Sequence, residues 1–298
     1  MYSVAVLLST FNGEKYLPDL LKSLTLQRKV MLSLFVIDDN STDSSLEILK
    51  NSDLNIKLFH DKGERDPVKN FMKLITLTPD EYDYYCFCDQ DDYWLKNKLI
   101  YSIYRLNKNN ASLLGSRTFY TDKNLKVTGK SLLFKKKPSL RNAVVQSIAG
   151  GNTMTWTKKF HQELQSHPIY SPASHDWYLY QFCTYFNHKF IFNTRPVILY
   201  RQHENNVVGS NVGFLNTLKR INLGLKGQYK FWHECNRHHL YSFKKYKHSK
   251  DNRMIVDEFY NLREMKFFRI KYLRKLNIYR QTLQGQIMLY LATIIFKI

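Results

Sequence analysis

Apolar runs and polar turns alternate along the first third of the chain. Val4-Ala5-Val6-Leu7-Leu8 is apolar throughout and stops at Ser9-Thr10-Phe11-Asn12-Gly13. A run without alternation marks a strand buried on both faces, as in a parallel sheet. Leu17, Leu20, Leu21 and Leu24 follow at helical spacing, with Pro18 in the first turn, where it is tolerated. Leu32 to Ile37 repeats the pattern and ends at Asp38-Asp39-Asn40-Ser41-Thr42-Asp43, where Ser41 or Asp43 can cap a helix carrying Leu46 and Leu49. Ile56 to Phe59, the polar loop Asp61 to Asp66 and a helix around Phe71, Leu74 and Ile75 make a third unit. The fourth run, Tyr84 to Cys88, ends in Asp89-Gln90-Asp91-Asp92-Tyr93-Trp94, with a helix expected to start near Leu95. Strand alternating with helix predicts an α/β fold built on an open, mostly parallel sheet flanked by helices. In such sheets ligands bind outside the carboxyl ends of the strands. The turns Ser9 to Asn12, Asp38 to Ser41 and Asp89 to Asp92 are therefore expected on one edge.

Beyond residue 110 the pattern is less regular. Leu113 to Tyr120 and Val127, separated by Asp122-Lys123-Asn124, predict a hairpin. Gly150-Gly151-Asn152 suggests backbone that approaches a ligand closely, and a helix follows around Phe160 and Leu164. Lys189 to Phe192 and Val197 to Tyr200 read as two strands, the second closing on Arg201-Gln202-His203-Glu204-Asn205-Asn206.

The acidic turn carries the first chemical signal. Asp89, Asp91 and Asp92 place three carboxylates within four positions, and they repel one another unless a cation sits among them. Hard oxygen ligands favour Mg²⁺ or Mn²⁺, held by one or two carboxylates plus substrate phosphates. The competing reading is a solvated turn whose acids cap the next helix. After the first strand there is neither a Gly-x-Gly-x-x-Gly loop nor a Walker lysine, which argues against a dinucleotide enzyme and a P-loop NTPase. Any nucleotide phosphates must then be neutralised by metal rather than by a nest of backbone amides. Asp176, in Ser174-His175-Asp176-Trp177-Tyr178, opens an aromatic helix. It reads either as a partner of the helix dipole or as a general base against an apolar wall.

Charge narrows the range of partners. The chain has 298 residues, with 45 Lys and Arg against 25 Asp and Glu, a net charge of +20. Such an excess points to nucleic acid, an anionic membrane face or phosphorylated ligands. It is concentrated late, with 18 Lys or Arg and 5 Asp or Glu from Leu215 to Ile298. Cys86, Cys88, Cys183 and Cys235 are too few and too irregular for a disulfide framework, which fits a reducing cytoplasm. The start shows no signal peptide. The late apolar run Ile287 to Phe296 is too short to cross a hydrocarbon core of ~30 Å at ~1.5 Å per residue, so membrane contact is expected only at the surface.

Taken together, Ser9-Thr10-Phe11-Asn12, Asp38-Asp39-Asn40-Ser41, Asp89-Gln90-Asp91-Asp92-Tyr93-Trp94, His175-Asp176-Trp177 and Tyr200-Arg201-Gln202-His203 resemble the inverting family-2 glycosyltransferases of the GT-A fold. The form of the third and last motifs is most similar to the rhamnosyltransferase-like branch of bacterial surface polysaccharide biosynthesis. The resemblance covers roughly residues 1–210, and implies a GT-A catalytic domain there with a basic, mainly helical region over 211–298. It implies a nucleotide-sugar donor, a glycan or polyprenyl-diphosphate-linked acceptor and a divalent metal, Mn²⁺ or Mg²⁺. By position, Ser9, Thr10, Asn12, Asp38 and Asp39 would form the nucleotide site, with Asp39 accepting from the base's imino N–H. Asp89, Asp91 and His203 would hold the metal, and Asp176 would be the base. Arg201, His175, Trp177 and Trp94 would lie on the diphosphate and acceptor side. The family commonly has Glu-Asp where this chain has His175-Asp176, which leaves the role of position 175 open.

The basic region admits other readings. Lys226 to Lys250 interleaves Tyr229, Phe231, Trp232, Tyr241, Phe243 and Tyr246 with cationic residues, a composition able to track nucleic acid, yet no nucleic-acid module motif is present. His233, Cys235, His238 and His239 match no standard zinc spacing, so a solvated or packed helix is preferred. Met254 to Tyr279 carries Ile255, Phe259, Leu262, Ile270 and Leu273 near one helical face. Such a helix either lies on an anionic leaflet at the inner face of the cell membrane or packs on the catalytic domain. The competing class is a non-catalytic membrane- or nucleic-acid-binding protein that retains the fold.

Overall fold

The structure, a computed structural model, describes residues 1–60, 65–168, 172–203, 228–246, 249–262, 265 and 267–295. Part of the Asp61 to Asp66 loop, Glu204-Asn205-Asn206, Lys266, Phe296 and the basic stretch before residue 228 lie outside them. The chain divides into two compact units. The first comprises Met1–Leu132, Ala149–Ile169 and Ile191–Ser210, and the second Leu133–Ile148, Tyr170–Phe190 and Asn211–Ile298.

In the first unit the four apolar runs form β1 (Tyr2–Thr10), β2 (Val30–Asp38), β3 (Asn55–His60) and β4 (Tyr84–Asp89). They pair in parallel in the order β3-β2-β1-β4. Between them run α1 (Leu17–Thr25), α2 (Ser45–Lys50) and α3 (Pro67–Leu77). Alternate residues of each strand face opposite layers. Val4, Val6, Leu8, Leu34, Val36, Cys86 and Cys88 pack on Leu17, Leu20 and Leu24 of α1 and on Leu99 and Ile103 of α4 (Lys98–Asn109). On the other face Phe71 of α3 meets Phe87 edge-on at 5.0 Å.

The remaining strands turn the sheet from parallel to mixed. After β5 (Tyr93–Trp94) come β6 (Leu113–Thr121), β7 (Val127–Lys130), β8 (Thr155–Thr157) and β9 (Phe190–Arg201). The order continues β4-β8-β6-β9-β5, with β8 antiparallel to β4 and β6, and β5 antiparallel to β9. The expected hairpin is β6 and β7. The two strands expected between Lys189 and Tyr200 are one twelve-residue strand. Asn193 and Pro196 made the run look interrupted, but the Asn193 amide bonds Ser116 Oγ and the Arg195 carbonyl, and these bonds keep its polar side chain satisfied inside the sheet.

Register fixes the functional edge. Thr10 lies opposite Asp38, Asp38 opposite His60, and Ser9 opposite Asp89, so these carboxyl ends are level. The three polar turns leave the sheet along one rim, as the alternation of elements required.

The second unit is helical among the described residues, with α5 (Leu140–Ala143), α7 (His175–Tyr185), α8 (Gln228–Phe243), α9 (Lys250–Asn261), α10 (Arg269–Lys275) and α11 (Leu283–Ile295); α6 (Lys158–Gln165) belongs to the first unit. α7 is apolar nearly all round and is buried accordingly, with Tyr178 and Phe182 against Phe243 of α8. The single helix expected from Met254 to Tyr279 is instead two, because Phe268 enters the left-handed region at φ 63° and Asn277 at φ 53°. Among the described residues no helix is long and apolar enough to cross a membrane.

Candidate active site

Two loops at the rim are bonded to each other through their side chains. Asn12, in the left-handed region at φ 45° that Asn tolerates, donates its amide to Ser41 Oγ and accepts from the Thr42 amide through Oδ1, each at 2.9 Å. The Gly13 amide donates to Ser45 Oγ at 2.7 Å. Asp43 accepts from the Ser45 amide at the start of α2, whereas Ser41 takes the amide of Asn12 and does not cap the helix.

Asp38 and Asp39 are both buried. One Asp38 oxygen accepts from the Ser41 amide at 2.8 Å and the other has no partner within hydrogen-bond reach. Asp39 is held on both oxygens, by the Arg65 amide at 3.1 Å and by Asn70 Nδ2 at 3.0 Å. The same Asn70 nitrogen reaches Ser9 Oγ at 3.1 Å, so α3 links the ends of β1 and β2. Arg65 places its guanidinium over the Phe11 ring at 4.9 Å. Thr10 does not open to this rim, since it is buried and its hydroxyl donates to Gln90 Oε1 at 2.6 Å. Gln90 also receives the Phe11 amide and donates to the Phe11 carbonyl.

On the acidic turn, His203 Nε2 lies 2.8 Å from Asp91 Oδ2, across 112 positions of chain. The His203 ring stacks on Tyr16 at 4.9 Å. Asp89 is partly exposed at the end of β4. Asp92 is buried and accepts from Asn152 Nδ2 at 2.7 Å. Burial pushes its carboxyl well above the usual range, with Asp89 and Asp91 adding to the shift against the Asn152 bond and the Lys98 charge. Asn152 is thus where the glycine-flanked segment meets the site, through a side chain rather than through bare backbone.

Two residues expected on the diphosphate and acceptor side, Trp94 and Arg201, are buried. Trp94 is fully buried in the core cluster beside α1 and α4, with the Lys98 ammonium 3.1 Å from its ring centre. Arg201 is also buried, and it donates to the Asp91 carbonyl at 3.1 Å, the Lys123 carbonyl and Asp19 Oδ2 at 2.8 Å. It lies over Tyr16 at 4.4 Å, so its guanidinium links the acidic turn to α1. Sequence reasoning assigned no side-chain role to Gln90, Asn70 or Asn152. All three are uncharged amides whose importance lies in long-range partners; Gln90 stood within the Asp-Gln-Asp-Asp motif and Asn152 beside Gly150-Gly151, while Asn70 carried no signal.

In the second unit Asp176 occupies the first turn of α7 and is partly exposed. It does not cap the helix with its side chain; Oδ2 accepts from Ser147 Oγ at 2.8 Å and Oδ1 has no described hydrogen bond. His175 has buried ring nitrogens, and burial lowers its pKa although Asp176 partly offsets this. Trp177 donates its indole N–H to the Ala143 carbonyl and meets His233 edge-on.

Among the described residues no group of three or more His, Cys, Asp or Glu is arranged around one point. Asp91 and His203 supply one oxygen and one nitrogen side by side, which fits a Mg²⁺ or Mn²⁺ ion completed by phosphate and water oxygens. The helix carrying His233, Cys235, His238 and His239 is packed, as preferred over a zinc site: His233 and His239 are buried in the helical unit, and His239 Nε2 bonds Gln181 Oε1 at 2.6 Å.

Comparison with known proteins identifies the family and the fold. The sequence matches Glycosyl transferase family 2 over residues 5–175. It is 33% identical over 236 residues, 72% of this chain and 78% of the relative, to the dTDP-rhamnosyl transferase RfbG of Shigella flexneri. The fold is similar to that of Staphylococcus aureus TarS 1–349 in complex with UDP-GlcNAc, with TM-score 0.62 and 18% identity over 97% of this chain and 79% of that one. It is also similar to the mannosyltransferase PcManGT of Pyrobaculum calidifontis in complex with GDP-Man and Mn²⁺, with TM-score 0.53 and 14% identity over 97% and 79% of the two chains. These likenesses set aside a merely non-catalytic binding protein, and the chain belongs to glycosyl transferase family 2, with the GT-A architecture of its structural neighbours.

Proposed function

We propose that the protein is an inverting glycosyltransferase that moves a sugar from a nucleoside-diphosphate donor, dTDP-rhamnose, to a hydroxyl of a glycan or lipid-linked oligosaccharide. The observation that carries this reading is the meeting of Asp91 and His203 at the rim where Ser9 and Asp39 also emerge. The 33% identity to a dTDP-rhamnosyl transferase supports the choice of donor over UDP-hexoses. Asp39 is suited to accept from the imino N–H that thymine and uracil share, and Asn12 and Ser9 would shape the rest of the nucleotide pocket. Asp91 and His203, with Asp89 two positions earlier in the same turn, would hold a divalent ion, which when bound supplies charge neutralisation for the departing diphosphate.

In the proposed reaction Asp176 takes the proton of the acceptor hydroxyl, whose oxygen attacks the anomeric carbon as the bond to the diphosphate breaks, inverting configuration. Ser147 fixes one oxygen of Asp176 and leaves the other to receive that proton. Neutral His175 beside it adds no competing positive charge. Residues 1–210 carry every one of these groups, and the stretch from Leu215 onward carries most of the excess positive charge. The proposed place of work is the cytoplasm, at the inner face of the cell membrane where a polyprenyl-linked acceptor lies.

The test is donor turnover with dTDP-rhamnose and UDP-hexoses, with and without Mn²⁺. We expect dTDP-rhamnose to be used and UDP-hexoses to be poor donors. Asp176→Asn should lower transfer by about 10²–10⁴-fold while leaving dTDP affinity unchanged. Asp91→Ala should abolish the Mn²⁺-dependent part of donor binding in calorimetry. Transfer by Asp176→Asn near the wild-type rate would place the base elsewhere.

A further inference from the structure

The helix α11 has an unusual outward face. Leu283, Ile287, Leu291, Ile294 and Ile295 are each between 44% and 76% exposed, while Leu289, Ala292 and Thr293 are buried. At ~100° per residue the five exposed side chains fall within about a third of the helix circumference. No charged residue occurs between Leu283 and Ile295. A soluble surface helix places its polar side outward, so an outward apolar stripe on a helix with no charge marks a contact face.

The border of the stripe is cationic and aromatic. Arg274 of α10 lies over the ring of Tyr290 at 5.3 Å, next to the stripe on α11. Lys271, Arg274 and Lys275 are all exposed. Arg269 ties the start of α10 to the last turn of α11 through the Thr293 carbonyl at 3.3 Å. Just before α10, Phe267 and Phe268 are 73% and 75% exposed, and Phe268 holds a left-handed backbone that a bulky residue rarely adopts.

We propose that this face of α11 docks on an anionic lipid bilayer, the stripe entering the acyl boundary while Arg274 and its neighbours meet the headgroups. Apolar stripe, flanking cations and exposed aromatics are the parts an interfacial helix uses. Charge selects the bilayer over a second copy of the chain, because 18 Lys or Arg against 5 Asp or Glu from Leu215 onward would repel themselves. The inference moves the membrane face from the expected 254–279 segment to α11, which sequence reading had dismissed only as too short to span. It rests on the proposed lipid-linked acceptor for its purpose alone. Vesicle binding and sugar transfer are measured separately, so either can fail without the other.

The experiment is flotation of the full-length protein with vesicles of phosphatidylcholine alone or mixed with phosphatidylglycerol, at low and high salt. We expect binding to the mixed vesicles to exceed binding to the neutral ones by about tenfold or more and to weaken with salt. Ile287→Ser with Leu291→Ser should reduce it by about tenfold or more with an unchanged urea midpoint, since both side chains are already in solvent. Arg274→Gln with Lys275→Gln should reduce it by about fivefold per charge and provides a second variant that leaves the stripe intact. Equal binding to neutral and anionic vesicles, unchanged binding by both variants, or a dimer in light scattering that the serine variant dissolves would each overturn the proposal.

Discussion

The guanidinium of Arg201 is buried, and its donors go to the Asp91 carbonyl, the Lys123 carbonyl and the Asp19 carboxylate. A lysine has the charge but not the planar fork needed for partners in three directions. Arg201→Lys should therefore cost about 2 kcal/mol and lower the melting temperature by roughly 5 °C, which calorimetry would register. The family resemblance placed Arg201 on the diphosphate side; its bonds to Lys123 and Asp19 were invisible in the motif. His161 is a second case. Its Nε2 donates to the Thr78 carbonyl, its Nδ1 accepts from Trp156 and its ring stacks on Tyr85 at 3.7 Å, so the neutral form fits both partners. Burial pulls its pKa down to about 4, and His239 is pulled to about 3 for the same reason. A depressed pKa means that the unfolded chain takes the proton first, so stability is full above about pH 6.5 and declines as the pH falls toward 4. Urea midpoints should drop across that window, and His161→Gln should flatten part of the slope.

At the scale of elements, the strands that build the rim were legible because continuous apolar runs have few alternatives once polar turns bound them. β8 was not, since Thr155–Thr157 has three residues and owes its place to pairing with β4 and β6. The bent path from α9 to α10 was equally hidden, because left-handed Phe268 breaks a good helical period without Gly or Pro to announce it. The candidate site was legible as acids at strand ends, while the amides that lace the loops were not, because uncharged side chains in turns carry no periodic signal. Gln90 is the clearest of these, joining the end of β1 to the acidic turn after β4 through Thr10 and Phe11. Gln90→Ala removes three bonds and frees both loops. We expect dTDP affinity to fall by about tenfold in calorimetry, with little change in the metal dependence proposed for Asp91 and His203.

For the whole molecule, Asp39, Asp91 and His203 belong to one compact unit and Asp176 to the other. Sequence reasoning drew a boundary near residue 210, where composition turns basic, but the helical unit also takes 133–148 and 170–190 from the earlier part of the chain. Composition cannot reveal such a mixture, because α7 looks like any core helix until its partners are known. Within that unit Gln181 of α7 bonds His239, Tyr178 and Phe182 pack on Phe243, and Asn142 donates to the Tyr279 carbonyl. Ending the chain at residue 210 would strip these partners from a helix that is apolar on every side. We expect the truncated protein to aggregate or melt at a lower temperature, as dye binding and thermal scans would show, rather than behave as a free catalytic domain.

The threading of α7 among segments so far apart in the chain also bears on biosynthesis. While the polypeptide is still being made, the rim with Asp39 and Asp91 can assemble from residues already outside the ribosome, whereas α7 must wait for α8 to emerge. A nascent chain can therefore complete the acidic rim before the helix that carries Asp176 has found its partners, so the two groups are ordered at different stages of synthesis.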